Sequence, residues 1–178
     1  MGEAGFGLRL ATLEVSFQRF RVPPSGLLEA LPSSLGALPV GLTRHGTMLL
    51  PLDAEEAFWI GASDLPGSLA NHLRIEAQLR DGTALSLTTP DVTVPPDHRF
   101  FGFPRPDGLM AALSRSETEA ASGLKSLRIS VRKHASTMAR SAQAVIHVVG
   151  YKIYAERTQR SEPDPLDPDA QFSRVLLP

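Results

Sequence analysis

Leu73, Ile75, Ala77 and Leu79 alternate without a break with Arg74, Glu76, Gln78 and Arg80, and Asp81-Gly82 follows at once. Successive side chains of a strand point to opposite faces, so a period of two with one apolar phase dictates a half-buried strand. Asp-Gly supplies the positive φ that a type I′ turn needs, and Thr83 to Leu87 then returns as the partner strand. The same alternation recurs in Leu13, Val15 and Phe17 against Glu14, Ser16 and Gln18, and in Leu127, Ile129 and Val131 against Arg128, Ser130 and Arg132. Its phase changes near Ala11-Thr12 and again before Phe20, which predicts a bulge or twist at both places. Ala144 to Val149 is apolar in both phases and reads as a central strand covered on both sides. Two more strands are expected at Gly46 to Leu52 and Ala57 to Ile60.

Helical material is scarce. Fifteen prolines and fourteen glycines cut the chain into short elements. Gly108 to Leu113 is expected to make two helical turns with Asp107 as N-cap, and a second short turn is expected at Ser25 to Leu31. The fold class that follows is mainly β: an antiparallel β-sandwich or barrel with one or two short helices and an extended C-terminal tail. A length of 178 residues, 42% of them hydrophobic, supports one core, which places a single domain over 1–160 and a tail over 161–178.

Composition removes several functions. Cysteine is absent, so disulfides, thiolate nucleophiles and thiolate metal sites are excluded. The five histidines, at 45, 72, 98, 134 and 147, form no helical or zinc-finger pair, no Walker or dinucleotide loop is present, and no serine sits in a nucleophile elbow. No metal, cofactor or catalytic residue is therefore assigned, and His147 reads as a hydrogen-bonded core residue. A net charge of −1 gives little pull toward nucleic acid or anionic lipid. The N-terminus lacks the basic start and apolar run of a secretory signal, and Ala144 to Tyr151 falls far short of the roughly 20 residues that span a bilayer. A cytoplasmic protein without membrane insertion is the expectation.

Phe17-Gln18-Arg19-Phe20-Arg21-Val22-Pro23, Leu31-Pro32-Ser33-Ser34-Leu35-Gly36 with Pro39, Gly46 to Leu52 and Glu56-Ala57-Phe58-Trp59-Ile60 together make a pattern that covers about a quarter of the chain. This stretch, Phe17 to Ile60, resembles an uncharacterised bacterial domain. The resemblance implies a bacterial origin and carries no activity onto any residue.

Two clusters bear chemistry. Glu55 and Glu56 precede Trp59, and a carboxylate beside an indole has its pKa raised by desolvation and can act as a general acid, although adjacent acids at a strand mouth also make an ordinary solvated turn. His45, next to Arg44, lies close in sequence. Asp97-His98-Arg99-Phe100-Phe101, between Pro95-Pro96 and Gly102-Phe103-Pro104-Arg105-Pro106, combines rigid rings with a guanidinium, the composition of a binding surface, although the same rings can also tuck into the end of a sandwich.

The tail is the third signal. Glu162-Pro163-Asp164-Pro165-Leu166-Asp167-Pro168-Asp169 removes backbone donors and concentrates like charge, so it cannot build a core, yet Phe172, Val175, Leu176 and Leu177 end the chain as apolar anchors. Between Lys125 and Arg160 the chain is locally basic, with Arg128 and Arg132 on one wet strand face; Tyr151 and Tyr154 read as lying on opposite faces of a strand. The acidic tail can neutralise that basic face within its own subunit or across an interface.

The function expected is a noncatalytic binding or assembly subunit, a homo-oligomer or part of a larger protein complex, that docks through its tail, with Phe172, Val175, Leu176, Leu177, Arg99, Phe100 and Phe101 as partner contacts. The alternatives are an enzyme acting on a small polar or sugar-like substrate with Glu55 or Glu56 and His45 or His98, and a weak nucleic-acid-binding adapter.

Overall fold

The computed structural model describes residues 6–65, 71–88, 92–94, 97–133, 141–167 and 174–175. In chain order these make β1 (Leu8–Leu10), β2 (Leu13–Arg21), β3 (Leu27–Leu28), β4 (Leu31–Pro32), β5 (Gly41–Leu42), β6 (Met48–Pro51) and β7 (Glu56–Asp64). There follow β8 (Asn71–Leu79), β9 (Ala84–Ser86), β10 (Val92–Val94), β11 (Asp97–Phe100), β12 (Phe103–Pro104), β13 (Met110–Ala111) and β14 (Leu113–Ser114). The chain closes with β15 (Leu124–Lys133), β16 (Ser141–Val149), α1 (Tyr151–Thr158) and β17 (Arg174–Val175).

The fold is mainly β. One sheet runs β1-β2-β7-β11, with β14 also on β7, and the other runs β10-β8-β15-β16-β6-β5, with β9 also on β8. Neither path closes on itself among the described residues. Leu13, Val15, Phe17, Phe58 and Ile60 of the first sheet share one core with Leu73, Ile75, Leu127, Ile129 and Ile146 of the second, so the two inner faces pack against each other as a sandwich. Each such side chain gains about 1.5–3 kcal/mol on burial. Phe17 and Phe58 meet edge to face with centroids 5.8 Å apart, an arrangement that adds to the area term.

Both predicted phase changes have causes other than a bulge. Leu10 pairs with Leu13 across a tight turn at Ala11-Thr12, with Ala11 at φ 55°, so β1 and β2 form a hairpin there. β2 then pairs with β7 in unbroken register from Leu13–Asp64 to Arg21–Glu56. What changes before Phe20 is the cover: Phe20 on the opposite face joins Leu28, Ala57 and Ala112 in a second small core, while Arg19 and Arg21 continue the inner face as charged residues.

The hairpin read at Asp81-Gly82 is present, with Glu76, Ala77 and Gln78 opposite Ser86, Leu85 and Ala84. Its turn is longer than type I′. Leu79 N–H reaches Thr83 O at 2.8 Å, and Gly82 N–H reaches Leu79 O at 3.2 Å. Gly82 has φ 91°, but Asp81 is not at positive φ, because its carboxylate accepts the Thr83 N–H at 2.8 Å and fixes a local turn of its own.

The predicted helix at Gly108 to Leu113 is not formed. Gly108 lies at φ 82° and the Asp107 carboxylate takes the Leu109 N–H at 3.2 Å, which reverses the chain and sends Met110–Ala111 between β12 and β3. Ser25 to Leu31 likewise holds β3 and no helical turn. Among the described residues the one helix is α1, over residues read as strand. Gly150 caps it without a side-chain bond, Gln159 ends it at φ 58°, and its helical signal is weak, so it depends on packing: Tyr154 is buried.

β16 lies between β15 and β6 but is buried on one face only. Ala144, Ile146 and Val148 point into the core, whereas Val145 is 38% exposed and His147 stands on the same outer face, half-buried and outside the core where it was expected. The C-terminal anchors Phe172, Leu176 and Leu177 lie outside the described residues. The backbone of Arg174–Val175 pairs antiparallel with Pro32 and Leu31 of β4 in the same chain. No helix among the described residues is long and apolar enough to cross a membrane.

Candidate functional site

At one end of the sandwich the inner face of β2 and β7 turns from apolar to charged, and α1 and residues 161–167 meet it there. Glu56 is only 2% exposed although it begins a strand. Its carboxylate accepts the Tyr151 hydroxyl at 2.6 Å from either oxygen, Arg19 Nη1 at 3.3 Å and the Asp53 backbone N–H at 3.1 Å. Three donors therefore fill most of the roughly four acceptor positions of a carboxylate. Burying the charge is offset only because it is paired and hydrogen-bonded together.

Tyr151 answers the same field. Burial first, and then the hydrogen bond and charge of Glu56, push its phenol well above the ordinary value, while Arg19 pulls the other way. At neutral pH it is a donor to Glu56 and accepts from Arg19 Nη1 at 2.8 Å.

Arg19 has a third task, donating to the backbone carbonyl of Asp164 at 2.7 Å, and Arg21 Nη2 donates to the carbonyl of Asp167 at 3.1 Å. The proline-rich segment is thus strapped across the charged end of its own subunit by its backbone oxygens. Glu162, Asp164 and Asp167 remain exposed. Between strap and sandwich lies a cleft of about 570 Å³ lined by Arg19, Pro39, Tyr154, Arg160, Glu162 and Asp164 among others.

Glu55 and Glu56 are not equivalent. Glu55 has a side chain 83% exposed and a loose ion pair to Arg21 at 3.6 Å. Trp59 shares neither neighbourhood with Glu56: three positions along the strand it falls on the opposite face, packed against the second core, so the desolvating indole expected beside a carboxylate is absent there. His45 is exposed on the turn before β6, where Arg44, Arg157 and Glu156 line a separate cleft. His98 pairs opposite Ala62, six positions and roughly 20 Å along β7 from Glu56. Burial holds its pKa below the ordinary value. Glu56, His45 and His98 therefore stand at three separate places, and Glu56 has little capacity left for a substrate.

The Asp97 to Phe101 segment is partly an edge strand. Phe100 is buried in the main core beside the His98 ring, Phe101 packs on the second core, and Arg99 is exposed. Arg19, Arg21 and Tyr151 build the charged end, whereas the sequence marked the two arginines only as part of the Phe17 to Ile60 pattern and Tyr151 only as a strand residue. Their partners lie 34 to 146 residues away, and the one local signal was a pair of arginines sharing the phase of Phe17.

Comparison with protein-family models, with curated proteins and with solved structures gave no match for this chain.

Proposed function

We propose that this chain is a noncatalytic subunit that works by binding protein, associating with further copies of itself through its C-terminal segment. The observation that carries the reading is the strap. Arg19 and Arg21 grip residues 161–167 through the backbone carbonyls of Asp164 and Asp167, and Glu162, Asp164 and Asp167 are exposed. A segment gripped by its backbone keeps its side chains for recognition. The titratable groups that an enzyme would need are spent on structure or stand apart. Tying 161–167 to its own subunit presets the arm in an extended shape, which lowers the entropy lost when it meets a partner.

Light scattering on the full chain and on a chain ending at Arg160 tests this. The full chain is expected as an assembly and the shortened one as a monomer. A monomeric full chain, or a shortened chain of unchanged subunit number, overturns it. A shortened chain that only melts lower leaves 161–178 as an internal strap and also overturns it.

A further inference from the structure

The outer face of the larger sheet carries the complement of that acidic strap. Its side chains come from alternate positions of three neighbouring strands whose registers are continuous: Arg132 stands between His72 and Ser141, Ser130 between Arg74 and Gln143, and Arg128 between Glu76 and Val145. Arg74, Arg128 and Arg132 are all exposed. Glu76 is the single carboxylate on these rows. Neither Arg128 nor Arg132 forms an ion pair with a described residue, and the three guanidinium groups share a shallow concavity with Ser130, Ser141 and Gln143.

The spacing is set by the sheet. Arg74 lies diagonally from both Arg128 and Arg132, about 7–8 Å from each, and the two β15 arginines lie about 13 Å apart. An extended proline-rich chain rises about 3.1 Å per residue, so Glu162 and Asp164 are about 6 Å apart and Glu162 and Asp167 about 15 Å. Glu162 and Asp164 also make no ion pair with a described residue. Acidic strap and basic face have matching length and opposite sign, and they stand on different parts of one subunit.

We infer that the exposed arginine face of β8 and β15 receives the acidic strap of a second copy of this chain. The contact is heterologous: the strap of one subunit meets the sheet of the next, so repetition produces a ring if the rotation closes and a filament if it does not. It also accounts for a wide sheet face left uncovered, because arginines along the rows discourage sheet stacking while inviting a carboxylate-bearing segment. A nucleic-acid backbone fits the face less well. Base stacking is strongest on Phe, Tyr and Trp, none of which lies on these rows, where His72 is the single ring.

This inference rests on self-association through the tail, and the experiment separates the two. R128E/R132E spoils the face and E162K/D164K spoils the strap. Neither touches the buried ends of its element, and circular dichroism with thermal melting checks that each folds. Each variant alone is expected to be monomeric, because strap and face then carry like charge, whereas an equimolar mixture is expected to reassemble, since the acidic strap of one variant meets the arginine face of the other and the lysine strap meets the glutamate face. Its affinity is expected to fall roughly tenfold or more between about 0.05 M and 0.5 M salt, as exposed pairs are screened. If truncation at Arg160 disperses the assembly but R128E/R132E does not, tail-mediated association stands and this face is not the receptor. If the mixture stays monomeric while both variants fold, the pairing of strap with face is wrong. Binding of a single-stranded oligonucleotide by the native chain, lost in R128E/R132E, together with a monomeric mixture, assigns the face to nucleic acid and overturns the inference.

Discussion

The Tyr151 hydroxyl lies 2.6 Å from both carboxylate oxygens of Glu56, ninety-five residues away in the chain. That bond ties the first turn of α1 to the first residue of β7, and Arg19 of β2 bonds both partners. Through Arg19 the same centre reaches Asp164, so strand pair, helix and strap share one electrostatic junction. The charged end of the sandwich is thereby closed by charge and hydrogen bonds, where the middle is closed by Leu, Ile and Phe.

Replacing Tyr151 with Phe keeps the ring and removes the bridging hydroxyl. Glu56 then retains Arg19 and the Asp53 N–H but loses its shortest donor. The expected loss is about 1–3 kcal/mol, as for leaving a buried polar group short of a partner. Urea unfolding should show a lower midpoint with an unchanged slope, because the surface exposed on unfolding does not change.

The same residue sets an alkaline limit. Its folded-state pKa lies above the ordinary 10.0, so below pH 10 both folded and unfolded chains hold the proton and the contribution is complete. As pH rises past 10.0 the unfolded chain releases its proton first, binds fewer than the folded chain, and stability falls. Melting temperature measured from pH 8 upward should decline more steeply above about 10 for the native chain than for Tyr151→Phe. Equal alkaline slopes in the two proteins contradict the assignment.

Glu55 and Glu56 provide an internal contrast. Glu56→Ala strands Arg19 and Tyr151 around an empty position, and breaking a buried pair by removing one partner costs about 3–5 kcal/mol. Glu55→Ala removes only an exposed pair to Arg21 and should change stability by less than about 0.5 kcal/mol. Denaturant midpoints of the two single variants decide the matter. Similar losses from both substitutions would show that the junction is not organised around Glu56.

What the sequence disclosed follows from the range of the forces involved. Leu73 to Leu79 and Leu127 to Val131 were legible because one wet and one dry face impose period two locally. The Asp81-Gly82 turn was legible in place but not in type, since the Asp81 bond to Thr83 N–H competes with the positive φ that type I′ requires of that residue. Gly108 to Leu113 offered an N-cap and an apolar run, yet Gly108 at positive φ converts the same residues to a reversal between strands. α1 carried no cap and continued a valine-rich strand, so only its packing reveals it. Arg19 and Glu56 could not be paired by inspection, because nothing local says which of the charged residues will meet. Why Val145 is left to solvent beside Arg128 is a property of the whole sheet, and no window of the sequence contains it.

The last prediction concerns how α1 is seated without a strong helical signal. Gly41 of β5 lies under it: a β-carbon there would stand 2.7 Å from Tyr154 Cε2 and 2.7 Å from Thr158 Cγ2. Gly41→Ala must push the helix outward or tilt the Tyr154 ring, and overpacking of this kind costs about 1–3 kcal/mol. Gly46 offers the comparison, since it has φ 79° and nothing within 4 Å of the added carbon. Gly46→Ala should therefore lose only the cost of a left-handed backbone, about 1–2 kcal/mol, and that cost should not depend on Tyr154. Tyr154→Leu shrinks the ring that Gly41 accommodates. Combined with Gly41→Ala it should cost less than the two single losses added together, whereas combined with Gly46→Ala it should be additive within about 0.5 kcal/mol. Additive losses in the Gly41 pair would mean that the helix is not held down at this contact, and that the junction at Glu56 alone keeps α1 against the sandwich.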